Sequence, residues 1–277
     1  ASYIFYMSWK PIFILLILGL TVANYYFGFA IDKGQTQKSK KQWLTLAVAA
    51  NLITLAFFKY AYFFNDSLSK ILKTFGGQET HIHLQLPFDI ILPLGISFFV
   101  FEFIHYVVDV YRGSEPIRSF PAFALFASFF PTQIAGPIKR FQDFIPQFLA
   151  PAKLSVESFD SAITLILLGS FKKVLIADNL SFFVQGGFSQ PALFSGLDLW
   201  VFSWAFAFQI YFDFSGYTDI ARGSAMLFGY KVPINFNLPY LANNISDFWR
   251  RWHISLSTWL RDYLFIPLGG SRGGRWA

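Results

Sequence analysis

Four groups of polar residues in this chain have types and spacings that could do chemistry. Glu102, His105 and Asp109 fall at i, i+3 and i+7, so one helical face would carry all three. Such a stripe could hand on protons or line a substrate path. It could equally be a structural seam that pairs with Lys or Arg from another helix. His81 and His83 form an H-x-H in which no third ligand at regular spacing lies nearby, so they read as surface histidines and no metal is expected. Gln209, Asp213 and Gly216 share a face among aromatic residues, where an unpaired carboxylate is costly. Asp213 therefore needs a partner or a proton, whereas Asp219 and Arg222, three apart, can pair locally.

The fourth group is the run Ser246-Asp247-Phe248-Trp249-Arg250-Arg251-Trp252-His253-Ile254-Ser255-Leu256-Ser257. Read as a helix, it places Trp249, His253 and Ser257 on one face, with Arg250 and Arg261 towards neighbouring faces. A neutral imidazole there could act as a general base towards a hydroxyl. The arginines would suit the phosphate of phosphopantetheine or coenzyme A, or lipid head groups. An interfacial helix anchored by its tryptophans is the competing reading of the same residues.

The elements that must position these groups are written in the composition. The 277 residues are 55% hydrophobic and 21% aromatic, with only 14% charged, against about 25% charged in a soluble domain. Mean hydropathy is +0.45, and the apolar runs are long rather than alternating, which argues against a transmembrane β-barrel. The expected class is all-α, a polytopic helical membrane protein. The net charge of +6 sits in short stretches between apolar runs, as juxtamembrane anchors do, so nucleic acid is not an expected partner and membrane lipid is. With no cysteine, disulfide, thiolate and Cys-ligated metal chemistry are all closed.

Spans are expected at Ile12 to Ile31, about Trp43 to Phe64, and about Phe88 to Tyr111, the last with Pro93 and Gly95 near its start. The basic loop from Lys33 to Lys41 reads as cytoplasmic. Asn65 to Leu86 reads as a polar connection holding a short amphipathic helix near Leu68 to Phe75. Phe120 to Ile138, broken by Pro121, Pro131, Gly136 and Pro137, reads as re-entrant or strongly bent. Phe141 to Phe159 suits a surface loop or helix. Ala162 to Val184 carries Lys172 and Lys173 in its middle, which predicts a bend or a snorkelling pair. Leu197 to Phe214 is another span, continuing towards Tyr230, and Tyr240 to Leu268 an amphipathic helical stretch. The 277 residues are expected to form one transmembrane domain, interrupted at both ends: the chain opens within an apolar segment and stops in what resembles a loop.

Three stretches together resemble the membrane-bound O-acyltransferase family, in its bacterial branch that modifies polysaccharides such as alginate. They are Phe130-Pro131-Thr132-Gln133-Ile134-Ala135-Gly136-Pro137-Ile138, Gln209 to Asp219, and Phe248 to Ser257. The tail Arg261 to Gly270 is more similar to the alginate-acetylating branch than to the one that D-alanylates teichoic acid. The resemblance implies bent and re-entrant helices around a central tunnel in a multi-pass protein of the bacterial cytoplasmic (inner) membrane. It implies acyl transfer, with acetyl the expected group, from a thioester (acetyl-CoA or an acyl carrier) to hydroxyls of an exported polysaccharide. A periplasmic O-acetyltransferase partner is implied, and no bound cofactor. His253 matches the first of two family histidines; the second, in a Trp-His-Gly motif, has no match here, so the chain alone is expected to be inactive. Gln209, Asp213, Tyr217, Trp249, Arg250, Arg251 and Ser257 are the expected lining residues beside His253. A transporter or channel, and a non-catalytic scaffold of a polysaccharide synthase, are the rival readings.

Overall fold

A computed structural model describes residues 1–76, 90–150 and 155–272, and among them the chain is helical with no strand. It divides in sequence into two compact units, Ala1–Phe130 and Pro131–Ala277. His81 and His83 lie outside the described residues.

The first unit holds a short α1 (Ser2–Met7), then α2 (Phe13–Asp32) and α3 (Gln37–Gly76). Both α2 and the Gln37–Leu68 stretch of α3 are long and apolar enough to cross a membrane, and they are the two such helices among the described residues. An amide pair joins them in their apolar contact: Asn24 Nδ2 donates to Asn51 Oδ1 at 3.2 Å, and Asn51 Nδ2 returns a bond of 2.7 Å to Asn24 Oδ1. Each amide also donates to the carbonyl four residues earlier on its own helix. Two fully buried side chains thus satisfy each other, which lipid could not do for them.

α3 corrects one expectation. Asn65 to Phe75 is not a loop with a separate small helix but the continuation of the same 40-residue helix. No Pro or Gly interrupts it before Gly76, and a polar exposed face does not stop a helix that is already propagating. α4 (Ile96–Tyr111) also starts later than expected. Pro93 lies before it rather than within it, and Gly95 caps it at a left-handed φ of 69°. Glu102, His105 and Asp109 are all buried on α4. α5 (Phe120–Ser128) begins with Ser119 accepting from the Ala122 amide and ends where Phe129 turns to extended backbone. The short α6 (Phe130–Gln133) follows the break, as the proline spacing predicts.

In the second unit, α7 (Phe141–Leu149) is followed by α8 (Val156–Ser170), opened by a reciprocal Ser155–Ser158 capping box. α8 passes through a π-helical stretch, Phe171–Ala177, straight into α9 (Asp178–Ser189). α10 (Gly196–Leu227) starts with a second capping box, Ser195 with Asp198, and runs 32 residues back along α8 and α9. The backbones of α8 and α10 touch. A Cβ on Gly169 would lie 2.5 Å from the Gly216 carbonyl oxygen, and one on Gly223 would lie 2.6 Å from that of Ala162. Small residues seven apart on each helix meet in opposite senses, the way helices approach closely when lipid gives no hydrophobic drive. Past Gly229 the chain is irregular to Leu238, then forms α11 (Ile245–Arg251) and α12 (Ile254–Leu260).

Candidate functional site

His253 does not lie inside a helix, which corrects the expectation that Trp249, His253 and Ser257 share one continuous face. It stands between α11 and α12 with φ 40° and ψ 55°, the left-handed region. A β-carbon there crowds its own carbonyl, so a non-glycine residue persists in it only when its surroundings hold it. Several groups hold His253. Preceding it, Trp252 is wedged against Phe236 (5.0 Å between ring centroids) and stacked on Phe248 (5.5 Å). Following it, the Ile254 amide donates to the Asn235 carbonyl at 2.9 Å. The Ser255 amide and hydroxyl both donate to Asn235 Oδ1, at 3.2 and 2.6 Å. Ser255 Oγ in turn accepts from the Ile138 amide at 3.0 Å, tying the turn to the stretch after α6. The Asn237 amide completes the clamp by donating to the Arg251 carbonyl at 2.9 Å.

The imidazole itself is 8% exposed and meets the Phe214 ring edge-on at 4.7 Å. It lies in a turn between two seven-residue helices, neither long enough to cross a bilayer. Burial pushes its pKa down to about 4, because an apolar surround disfavours the cation. The ring is therefore neutral near pH 7, the form in which imidazole accepts a proton.

The other expected lining residues divide. Tyr217 and Gln209 lie on partly buried positions of α10, and the Tyr217 hydroxyl accepts from the Ala135 amide at 3.3 Å. Phe214 and Tyr211 of the same helix reach the His253 turn through ring contacts. Asp213 faces the other way. Its carboxylate pairs with Lys173 at 2.7 Å and is half exposed, which supplies the partner that its aromatic setting demanded. Trp249 and Arg250 are exposed, Arg251 pairs with Asp247 at 3.0 Å, and Ser257 donates to the Trp252 carbonyl at 3.0 Å. Those contacts make Arg251 and Ser257 supports of the turn. On α4, Asp109 meets Arg112 at 3.5 Å and His105 lies edge-on to Phe126.

The lysine pair, expected to mark a bend or to snorkel, instead sits in the π-helical stretch and is taken up by carboxylates. In an α-helix, consecutive residues point about 100° apart; the wider π turn lets both reach α10. Lys172 donates to Asp219 at 2.6 Å and to Ser215 at 3.1 Å, while Lys173 takes Asp213 and Asp178. Arg222 approaches Asp219 from the other side at 3.4 Å. Asn235 and Ser255 went unnoticed in the sequence. The signal for Asn235 was available: two asparagines bracketed by Pro233 and Pro239 in an otherwise apolar stretch, where each amide must find a use.

The membrane-bound O-acyltransferase family profile matches residues 2–276 of the chain. A probable alginate O-acetylase of Pseudomonas aeruginosa is 45% identical over 99% of the chain and 52% of its own length. A peptidoglycan O-acetyltransferase of Helicobacter pylori is 40% identical over 98% of the chain and 55% of its own length. A teichoic acid D-alanyltransferase of Bacillus subtilis is 32% identical over 72% of the chain and 50% of its own length. The chain spans about half the length of these curated relatives.

Proposed function

We propose, from the premise that the chain belongs to the membrane-bound O-acyltransferase family, that it forms part of an O-acetyltransferase of the bacterial cytoplasmic membrane. The acyl group comes from a cytoplasmic thioester, acetyl-CoA or an acyl carrier, and moves towards hydroxyls of an exported polysaccharide such as alginate, where a periplasmic partner protein completes the transfer. Two kinds of support favour acetyl over D-alanyl. The relatives named for O-acetylation match nearly the whole chain, and the one named for D-alanylation matches less of it at lower identity.

The observation that carries the reading is the buried, neutral His253 held on a left-handed turn by Asn235 and Ser255. Acyl transfer from a thioester to a hydroxyl requires the hydroxyl proton to leave as its oxygen attacks the carbonyl carbon. The thiolate then departs with the electrons of the C–S bond and takes up a proton. A neutral imidazole on that path can hold the proton between the two events or orient the thioester for attack. Fixed hydrogen bonds behind the turn keep the ring where it is without reorganisation.

Full-length protein reconstituted in liposomes with a labelled acyl donor tests this. Donor-dependent transfer to an acceptor hydroxyl is expected, falling about 100-fold or more in His253→Asn. Asparagine tolerates the left-handed turn, so the fold is kept while the base is lost. Transfer that is equal in wild type and variant removes His253 from the path, and no donor-dependent transfer in either overturns the acyltransferase reading.

A further inference from the structure

The fold gathers cations that lie far apart in sequence at one end of the first unit. α3 runs antiparallel to α2: Asn51 meets Asn24, and Trp43 meets Phe27 with ring centroids 6.4 Å apart. Lys33, Lys38, Lys40 and Lys41 therefore stand where α2 ends and α3 begins. α4 returns to the same end. Ahead of its start, the Tyr62 hydroxyl of far α3 accepts from the Ile90 amide at 2.8 Å. Further along, Tyr106 packs on Gly28, one turn before α2 ends. Arg112 then caps α4. Arg118 is brought to α2 by Tyr25, whose hydroxyl donates to the Arg118 carbonyl at 2.6 Å and whose ring packs on Phe120 and Phe123.

Six cations thus share this end with three carboxylates, Asp32, Asp109 and Glu115. Asp109 is taken by Arg112 at 3.5 Å. Lys33, Lys38, Lys40, Lys41 and Arg118 form no ion pair among the described residues, and all but the half-buried Lys40 are exposed. Like charges crowded in this way repel one another unless an anionic partner meets them. The aromatic residues beneath them decide what kind of partner that is. Tyr26 is 65% exposed on α2 and Trp43 40% exposed on α3. Lys41, Lys40 and Lys38 stand about 3 to 8 Å beyond Trp43 along the helix axis. Exposed tyrosine and tryptophan with cations a few ångströms outside them reproduce the order of a bilayer interface, where the rings sit at head-group level. An acidic soluble protein would gain nothing from such a girdle. Lysine, a flexible point charge, also suits mobile head groups better than one fixed oxyanion.

We propose that this end of the first unit is a docking surface for the head groups of anionic phospholipids, formed by Lys33, Lys38, Lys40 and Lys41 together with Arg118. The lysines are neighbours in sequence; the fold adds Arg118 to them. The surface is distinct from the His253 turn, and its occupancy is read without acyl transfer.

Short-chain phosphatidylglycerol and, separately, phosphatidylcholine are titrated onto the intact protein in a sugar detergent, and the bound fractions are read by native mass spectrometry. Wild type is compared with Arg118→Gln and with the double variant Lys38→Gln/Lys41→Gln. Lys10→Gln is the control, since it removes an exposed cation ahead of the opposite end of α2. All these side chains are exposed, and an unchanged unfolding temperature checks that each variant keeps the fold. Phosphatidylglycerol is expected to bind wild type more tightly than phosphatidylcholine. Its affinity should fall about fivefold in Arg118→Gln and about 20- to 30-fold in the double variant, and stay unchanged in Lys10→Gln. The preference should fade as salt rises from about 0.1 to 1 M. Equal binding of the two lipids, equal phosphatidylglycerol binding in wild type and Arg118→Gln, or an equal loss in Lys10→Gln would overturn the proposal. So would capture of an acidic carrier protein through these cations with no preference between the lipids, which would assign the surface to a soluble partner.

Discussion

At the scale of single residues, the chemistry rests on a side chain held where its backbone resists. His253 and Leu238 are the two non-glycine residues at positive φ among those described; His253 lies between the bonds that join residues 235–237 to 251–255, and Leu238 follows the first of those segments. Burial sets the charge state of the imidazole. Its pKa is lowered from 6.5 to about 4 by burial, so folding favours the neutral ring. The sign follows: the stability is complete above about pH 6.5 and is lost as pH falls through about 4. Thermal unfolding of the detergent-solubilised protein should therefore decline more steeply between pH 6.5 and 4 in wild type than in His253→Asn. Equal slopes would mean that the imidazole takes up its proton without penalty and is not sealed in the fold. Residue types and the family resemblance of the motif marked His253, but they could not show the left-handed turn. A helical reading of Trp249, His253 and Ser257 has good periodicity, and what defeats it is tertiary: Asn235, 18 residues earlier, claims the Ile254 and Ser255 amides that a continuous helix would use.

Between elements, the second unit depends on how closely α8 approaches α10. Gly169 and Gly216 are each buried, and each carbonyl occupies the place where the other's Cβ would be. That approach brings Lys172 within 2.6 Å of Asp219. Gly169→Ala should force the helices apart, destabilising by about 2 kcal/mol and loosening the lysine–aspartate pair. Gly186 on α9 is the control, since nothing lies within 4 Å of its Cβ position. Gly186→Ala should be neutral or stabilising by about 0.5–1 kcal/mol through helix propensity alone. Denaturant unfolding of the two variants side by side reads the contrast, and similar effects would mean that the α8–α10 contact is not tight. This layer was only partly legible. The break at Phe129 follows from the prolines, and the irregular π turn at Lys172–Lys173 falls where charges interrupt an apolar helix. The uninterrupted length of α3 was not legible, because polar residues after Phe64 resemble a loop until one notices that no breaker separates them from the helix.

For the whole molecule, the question is which face of the membrane each end of α3 reaches. The donor thioester is proposed to be cytoplasmic, and orientation decides which face of the molecule it meets. Gln37–Leu68 has 32 residues, about 48 Å of helix against a hydrocarbon core of about 30 Å. A helix of this length that crosses must tilt or protrude, and its ends then lie on opposite sides. Lys33 precedes it and Lys38, Lys40 and Lys41 lie in its first turns, a density of cations of the kind that stays on the cytoplasmic side. Lys70 and Lys73 follow it and pull weakly the other way. The chain lacks cysteine, so one introduced thiol reports one position without background. Gln35→Cys, in the exposed loop before α3, should react with a membrane-impermeant maleimide only after spheroplasts are permeabilised. Asp66→Cys, exposed near the far end, should react in intact spheroplasts. Both labelling from one side would mean that α3 lies along the membrane rather than across it. The reverse pattern would place the lysine loop outside, and a cytoplasmic donor would then have to enter from the end of α3 that bears Asp66.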